Sequence, residues 1–464
     1  MELFVTNQIE ETIQTEFKIK YEQTITQLNK LSMYIQQIPN NKFVVANIDL
    51  QSLKFFDHLK NIDDNTTLII KNCYDVRFEE VPSRIRNLIF EDTRFSSLEG
   101  IHNMRFLKNL QIIRLVIKDC KQLNLLESLT NLTLNNNSIL DTEFNLSNLN
   151  KLTVLDLSNN FTYGQNIILP SNVKMLNLGS NKISNLGSSL VKICQMRSLV
   201  KLDLSNNQIQ DISPIYNNES LIELDLSYND IQSMSEYEHT KHGQRILQNL
   251  KVLVLKNNNI YNISDLRYMT NLKYLDISKN KLEDVQPLQH LSQIKCLVLG
   301  NNIVYNLWPL KHLVNLEELH VNFNQIIDIS VVRFLINLKH FNFQQNFVKD
   351  ISVLVCMKLD SLMLRENYID DEQHLGQLRE SGFDQRQHQG SERRYNALLR
   401  YQSKKIIKIF GTNNTNQNIN EKIKQTTLKI KQFTQNVQEI LQRTVVNQIH
   451  FTGQVINLFN SIQE

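Results

Sequence analysis

Eleven asparagines return along the middle of this 464-residue chain at intervals close to 22: Asn137, Asn160, Asn181, Asn207, Asn229, Asn258, Asn280, Asn302, Asn324, Asn346 and Asn367. Each closes one phrase, apolar-x-x-apolar-x-apolar-x-x-Asn, and another apolar residue usually follows two positions later. Leu272, Leu275, Ile277, Asn280 and Leu282 form a clean copy. A constant period of this length means stacked, equivalent turns, because a single short turn cannot bury its own apolar edge.

Each part of the phrase has a physical role. The paired apolar residues point inward from a short strand, and the residue between them faces the other side. Successive strands stack in parallel about 4.8 Å apart. The chain must then turn, and an inward asparagine offers both a carbonyl and an amide to backbone groups that have no sheet partner, with neighbouring asparagines stacking into a ladder. Weaker copies lie upstream: Ile85, Leu88, Phe90, Thr93, Phe95 and Leu98; Ile112, Leu115, Ile117 and Cys120; and Leu68, Ile70 and Cys73. In these, threonine or cysteine takes the asparagine's place.

The second half of the repeat has its own cadence. Ile209, Asp211, Ile212, Pro214 and Ile215 read I-x-D-I-x-P-I; Leu282, Asp284, Val285, Pro287 and Leu288 repeat it, as do Val304, Asn306, Leu307, Pro309 and Leu310. Asp328 and Asp350 carry the same beat before Ile329 and Ile351. This pattern resembles the short leucine-rich repeats of the nuclear regulatory subunit of protein phosphatase-1 and of bacterial internalins. The resemblance implies an α/β fold: a leucine-rich repeat solenoid with a parallel sheet on its concave side. We expect that solenoid over residues 41–375, with firm repeats from about 129 and degenerate ones before.

Both ends read as helical. Ile9, Ile13 and Phe17, then Ile25, Leu28, Leu31 and Ile35, make an amphipathic stripe over residues 8–37, expected to cap the first turn within a segment 1–40. After Leu375 the repeat stops. Gly376–Gly390 reads as a polar loop, Ser391–Phe410 as a helix, and 411–420 as a linker by composition. Residues 421–464 read as an amphipathic tail whose Ile423, Ile430 and Val437 keep heptad spacing for about two heptads, a seam for a short coiled coil and self-association. From Ser391 to Gln432 ten lysines and arginines stand against Glu392 and Glu421, while the whole chain carries only +3.

Composition and motifs narrow the function. No phosphate loop, dinucleotide fingerprint, H-E-x-x-H or G-x-S-x-G is present, and the balanced charge points to no nucleic-acid site, so the expectation is a non-enzymatic chain without cofactor. His239 and His242 with Glu236 and Glu238 lack further ligands at a metal-site spacing and read as a solvated bulge rather than a metal centre. Five scattered cysteines, no basic-apolar leader and no long apolar run fit a cytoplasmic or nuclear protein.

What remains is the concave face. Its central column reads Asp156, Asp203, Asp225, Asp276 and His320 among others. Lys201, Glu223, Tyr274, Glu318 and His340 flank it on one side, and Tyr228 and Phe323 on the other. Charges beside exposed aromatics are the composition of an interface. Glu318 and His340 fall at equivalent positions of adjacent strands, so a charge-assisted contact between them is expected. The reading is an intracellular protein–protein interaction scaffold with a protein partner on this face. The resemblance adds phosphatase-1 regulation, its catalytic subunit then being the partner. The alternatives are a cytoskeletal or axonemal adaptor and a secreted, internalin-like adhesin.

Overall fold

The computed structural model describes residues 42–46 and 65–380 apart from 74–75, 80, 94–96, 116–119, 140–143, 164–166, 185–187, 235–246 and 370–371, with the backbone alone for 42–46. The helix expected over 8–37, the Ser391–Phe410 helix, the 411–420 linker, the 421–464 tail and the histidines of the 235–242 bulge lie outside these residues. By internal packing the chain divides into two units, one of residues 1–346 with 356–364 and one of 347–355 with 365–464.

The first unit contains a parallel sheet of fifteen strands. Its first strand is Lys42–Ala46 and its last is Ser361–Met363, and each strand pairs in register with the next one in the stack. The repeat at 272–291 shows why the sequence adopts this form. Leu272, Leu275, Ile277, Leu282, Val285, Leu288 and Leu291 are all 1% exposed or less. Full burial of each such side chain contributes about 1.5–3 kcal/mol. The strand Tyr274–Asp276 supplies Leu275 to this core, Ile277 follows directly after it, and a short 3-10 helix at Gln286–His290 returns Leu288 from the opposite side.

The I-x-D-I-x-P-I cadence starts these 3-10 helices. Asp211, Asp284 and Asp328 each accept, through Oδ1, the N–H two residues on, at 2.8, 2.8 and 2.7 Å. Proline at the first turn of Ser213–Ile215, Gln286–His290 and Trp308–His312 fits a place where no N–H is needed. Helix Ser188–Cys194 takes the place of a 3-10 turn in one repeat.

The asparagines bond to backbone in the preceding turn. Asn302 Oδ1 accepts the Leu282 N–H at 3.0 Å while its Nδ2 donates to the Ile277 carbonyl at 3.0 Å, and Asn324 does the same with Val304 and Leu299 at 2.9 Å each. Thr93 stands in upstream, its hydroxyl donating to the Ile70 carbonyl at 2.9 Å.

Two expectations are corrected. Strand registers set Leu88, Leu110 and Leu132 side by side. The repeat expected as Ile112, Leu115, Ile117 and Cys120 is therefore Leu107, Leu110, Ile112 and Leu115. A buried leucine holds the asparagine's place there, and its N–H donates to Asn137 Oδ1 at 2.7 Å. In the second unit, helix Glu372–Glu380 covers residues 376–380, expected as loop; Leu375 and Leu378, one turn apart, are both buried. In that unit Asn367 Oδ1 accepts the Val348 N–H at 3.1 Å, and the Phe347 and Tyr368 rings stack.

Every turn carries a second, conformational signature. The residue just before the ladder position is left-handed in all fourteen turns described, from Asn72 (φ 50°) through Arg114 (φ 59°) to Glu366 (φ 55°). The left-handed residue at Arg114 independently places Leu115 in the ladder.

Candidate protein-interaction face

Alternation along each strand leaves one row of side chains between the two buried ones and another just before them. The registers join Asp156, Asn177, Asp203, Asp225, Val254, Asp276, Val298, His320 and Asn342 into one row across the first unit. A second row holds Lys201, Glu223, Val252, Tyr274, Cys296, Glu318 and His340. Tyr228 and Phe323 stand at the left-handed positions after their strands, 44% and 39% exposed. Ten of the twelve residues singled out in the sequence thus lie in these two rows, and Tyr228 and Phe323 stand in the turns just beyond their strands.

The aspartates of the central row are also structural. Asp156, Asp203, Asp225 and Asp276 each accept, through Oδ1, the N–H of the serine two residues on, at 2.8 to 2.9 Å. Asp225 takes the Ser227 hydroxyl as well, at 2.6 Å. Burial pushes the Asp225 carboxyl above its ordinary range, the Ser227 bonds oppose this, and the neighbouring Asp203 and Asp276 add to it. Tyr274 is raised for the same reasons, burial first and the surrounding acids after. The stripe is a crowded acidic row tied to the turns.

In the second row Lys201 pairs with Glu223 at 2.8 Å, and that bond holds its ammonium pKa up. Glu318 faces His340 in register, yet its carboxylate leans toward the preceding strand. Oε2 lies 3.6 Å from the Cys296 sulfur and 3.7 Å from Nε2 of His320. The contact expected with His340 is instead made with His320, on the same strand as Glu318, because the carboxylate's rotamer turns it away from the strand that carries His340. Burial, then Glu318 and Asp276, push the Cys296 thiol up to about 12. Reading the cysteines only for their redox compartment missed Cys296; its alignment with Tyr274 and Glu318 was the available signal.

The family model for Leucine Rich repeats (2 copies) matches residues 171–217, 197–239 and 248–290. The matched segments are leucine-rich repeats, and the fold is that of a leucine-rich repeat solenoid. An internalin from Listeria monocytogenes is 26% identical, the match covering 75% of this chain and 86% of that one with a TM-score of 0.49. A leucine-rich repeat protein of Leptospira interrogans is similar at 20% identity, 75% and 96% coverage and a TM-score of 0.55. The ectodomain of the membrane receptor kinase GASSHO1/SCHENGEN3 from Arabidopsis thaliana, solved with CASPARIAN STRIP INTEGRITY FACTOR 2, is similar at 19% identity. That match covers 73% of this chain and 45% of the ectodomain, with a TM-score of 0.51. No curated protein gives a significant match. Among the described residues, no helix is long and apolar enough to cross a membrane.

Proposed function

We propose that this chain is a non-enzymatic protein–protein interaction scaffold whose partner docks on the exposed face of the sheet. Stacked repeats of this type present extended binding surfaces. One observation carries the assignment to this face. The left-handed position before the ladder asparagine is filled by asparagine in Asn136, Asn159, Asn206, Asn257 and Asn301, a residue that tolerates this conformation, and by the polar Ser180, Lys279, Gln345 and Glu366 in other turns. Tyr228 and Phe323 occupy the same position with bulky rings that keep 44% and 39% of their surface exposed. These two are the aromatic exceptions among the turns, and each leaves ring surface exposed for a partner to bury. Exposed rings beside the charged rows supply the mixture that interface hot spots use.

The proposed setting is intracellular; all five cysteines are free, as a reducing compartment favours. The phosphatase-1 catalytic subunit is the first partner to test, on the strength of the repeat cadence alone. The assay is affinity capture from native lysate with mass spectrometry, comparing the natural chain with the combined Tyr228→Ala, Tyr274→Ala and Phe323→Ala variant. A partner retained by the first and lost by the second supports the reading. Equal retention moves the site off this face.

A further inference from the structure

Glu318 Oε2 stands between two other metal-ligating atoms, Cys296 Sγ at 3.6 Å and His320 Nε2 at 3.7 Å. The three side chains offer sulfur, oxygen and nitrogen atoms that all lie within 4.8 Å of one another. Their placement follows from the repeat. Cys296 and Glu318 are register partners at the starts of adjacent strands, and His320 is two residues beyond Glu318 on the same strand, hence on the same face. Behind them Leu297 and Leu319 are fully buried, so both strands are anchored in the core.

Two of the three spacings match a tetrahedral ion. Bonds of about 2.3 Å to sulfur and about 2.0–2.1 Å to oxygen or nitrogen, at tetrahedral angles, set sulfur and oxygen about 3.6 Å apart and oxygen and nitrogen about 3.4 Å apart. The two edges meeting at Glu318 Oε2 are close to these lengths without rearrangement of the backbone. The local charge also favours a cation. The charged groups acting on Cys296 are Glu318 and Asp276, both acidic, and among the described residues no lysine or arginine pairs with Glu318.

We propose that Cys296, Glu318 and His320 bind one divalent transition-metal ion of the zinc class, leaving a fourth position for water or an incoming ligand. Mixed sulfur, nitrogen and oxygen donors suit zinc or cobalt over magnesium or calcium, which require oxygen. Binding replaces the thiol proton of Cys296, which passes to solvent, so the metal sees a thiolate, a carboxylate and a neutral imidazole.

Cobalt(II) titrated into the full-length, chelator-treated chain tests this. One equivalent is expected to give intense visible absorption of the tetrahedral kind and a thiolate-to-cobalt charge-transfer band, both bleached by one equivalent of zinc. Cys296→Ser should abolish the charge-transfer band, and Cys296→Ser or His320→Ala should weaken affinity about tenfold or more. These side chains are half-exposed, so unchanged circular dichroism and thermal unfolding are expected to accompany the loss. A parallel His239→Ala/His242→Ala variant should bind as the natural chain does. Weak octahedral bands alone, a charge-transfer band that survives in Cys296→Ser, or binding lost in the double histidine variant would each overturn the assignment.

Discussion

Asn280 accepts the backbone N–H of Ile260, in the preceding turn, through Oδ1 at 2.9 Å, and its Nδ2 donates to the Leu255 carbonyl of that turn, also at 2.9 Å. A third and fourth bond return to its own turn, at the Ile277 and Ser278 carbonyls. One side chain therefore ties two turns together where the sheet pattern ends. Replacing it with leucine leaves these groups unmatched, at about 1–3 kcal/mol for a buried polar group that loses its partner. Asn280→Leu is expected to lower the unfolding temperature and to speed amide exchange at Ile260. Unchanged melting and exchange would remove the ladder from the account of stability.

Tyr228 and Phe323 should trade stability for binding. A non-glycine residue in the left-handed region costs about 1–2 kcal/mol, and asparagine bears it more easily than an aromatic. Tyr228→Asn and Phe323→Asn are each expected to raise stability by about 1 kcal/mol in denaturant titrations while weakening partner binding. A variant that loses stability would mean that the ring packs to structural purpose.

Asp225 supplies a pH dependence. Its pKa in the folded chain lies above the unfolded value, chiefly through burial. Ionisation is then unfavourable to folding above the folded pKa, and that cost disappears as pH falls below the unfolded value of about 3.9. Asp225→Asn keeps an Oδ1 acceptor for Ser227. It should therefore be more stable than the natural chain at pH 7, with the difference closing as the solution is acidified. A difference that grows toward low pH would reverse the assigned sign.

The cysteines should separate by reactivity. The thiolate is the nucleophile, and the Cys296 thiol is raised to about 12 by burial and by Glu318 and Asp276. Cys356 is exposed. In metal-free protein at pH 8, iodoacetamide should modify Cys356 well before Cys296, as read by peptide mass spectrometry. Faster labelling of Cys296 would contradict its acidic surroundings.

The stacked strands were legible because two periods coincide in the sequence, alternation within Leu275-Asp276-Ile277 and the return of the asparagine one turn later. Those periods also set the face, since register partners such as Tyr274 and Glu318 follow from counting. Leu115 misled the count because an apolar residue in the ladder position looks like a strand residue. A second donor column escaped notice: Asn271, Asn315 and Asn337, nine residues before their ladder asparagines, donate to carbonyls of Gln248, Ser292 and Val314 at 2.7 to 2.8 Å. The left-handed turns were hidden where tyrosine, phenylalanine, lysine or arginine fills them, because none of these advertises that backbone. The choice of His320 over His340 by Glu318 depends on side-chain rotamers, which no spacing rule specifies.

Site-specific photocrosslinking tests the interaction face most directly. Benzoylphenylalanine is placed at Tyr274, on the second row of the sheet, and in a separate variant at Ile336, which lies outside the sheet strands and is 76% exposed. After irradiation in native lysate, crosslinked partners are identified by mass spectrometry and competed with unlabelled natural chain. A discrete, competable adduct is expected from position 274 and none from position 336. A competable adduct from 336 with none from 274 would contradict docking on this face.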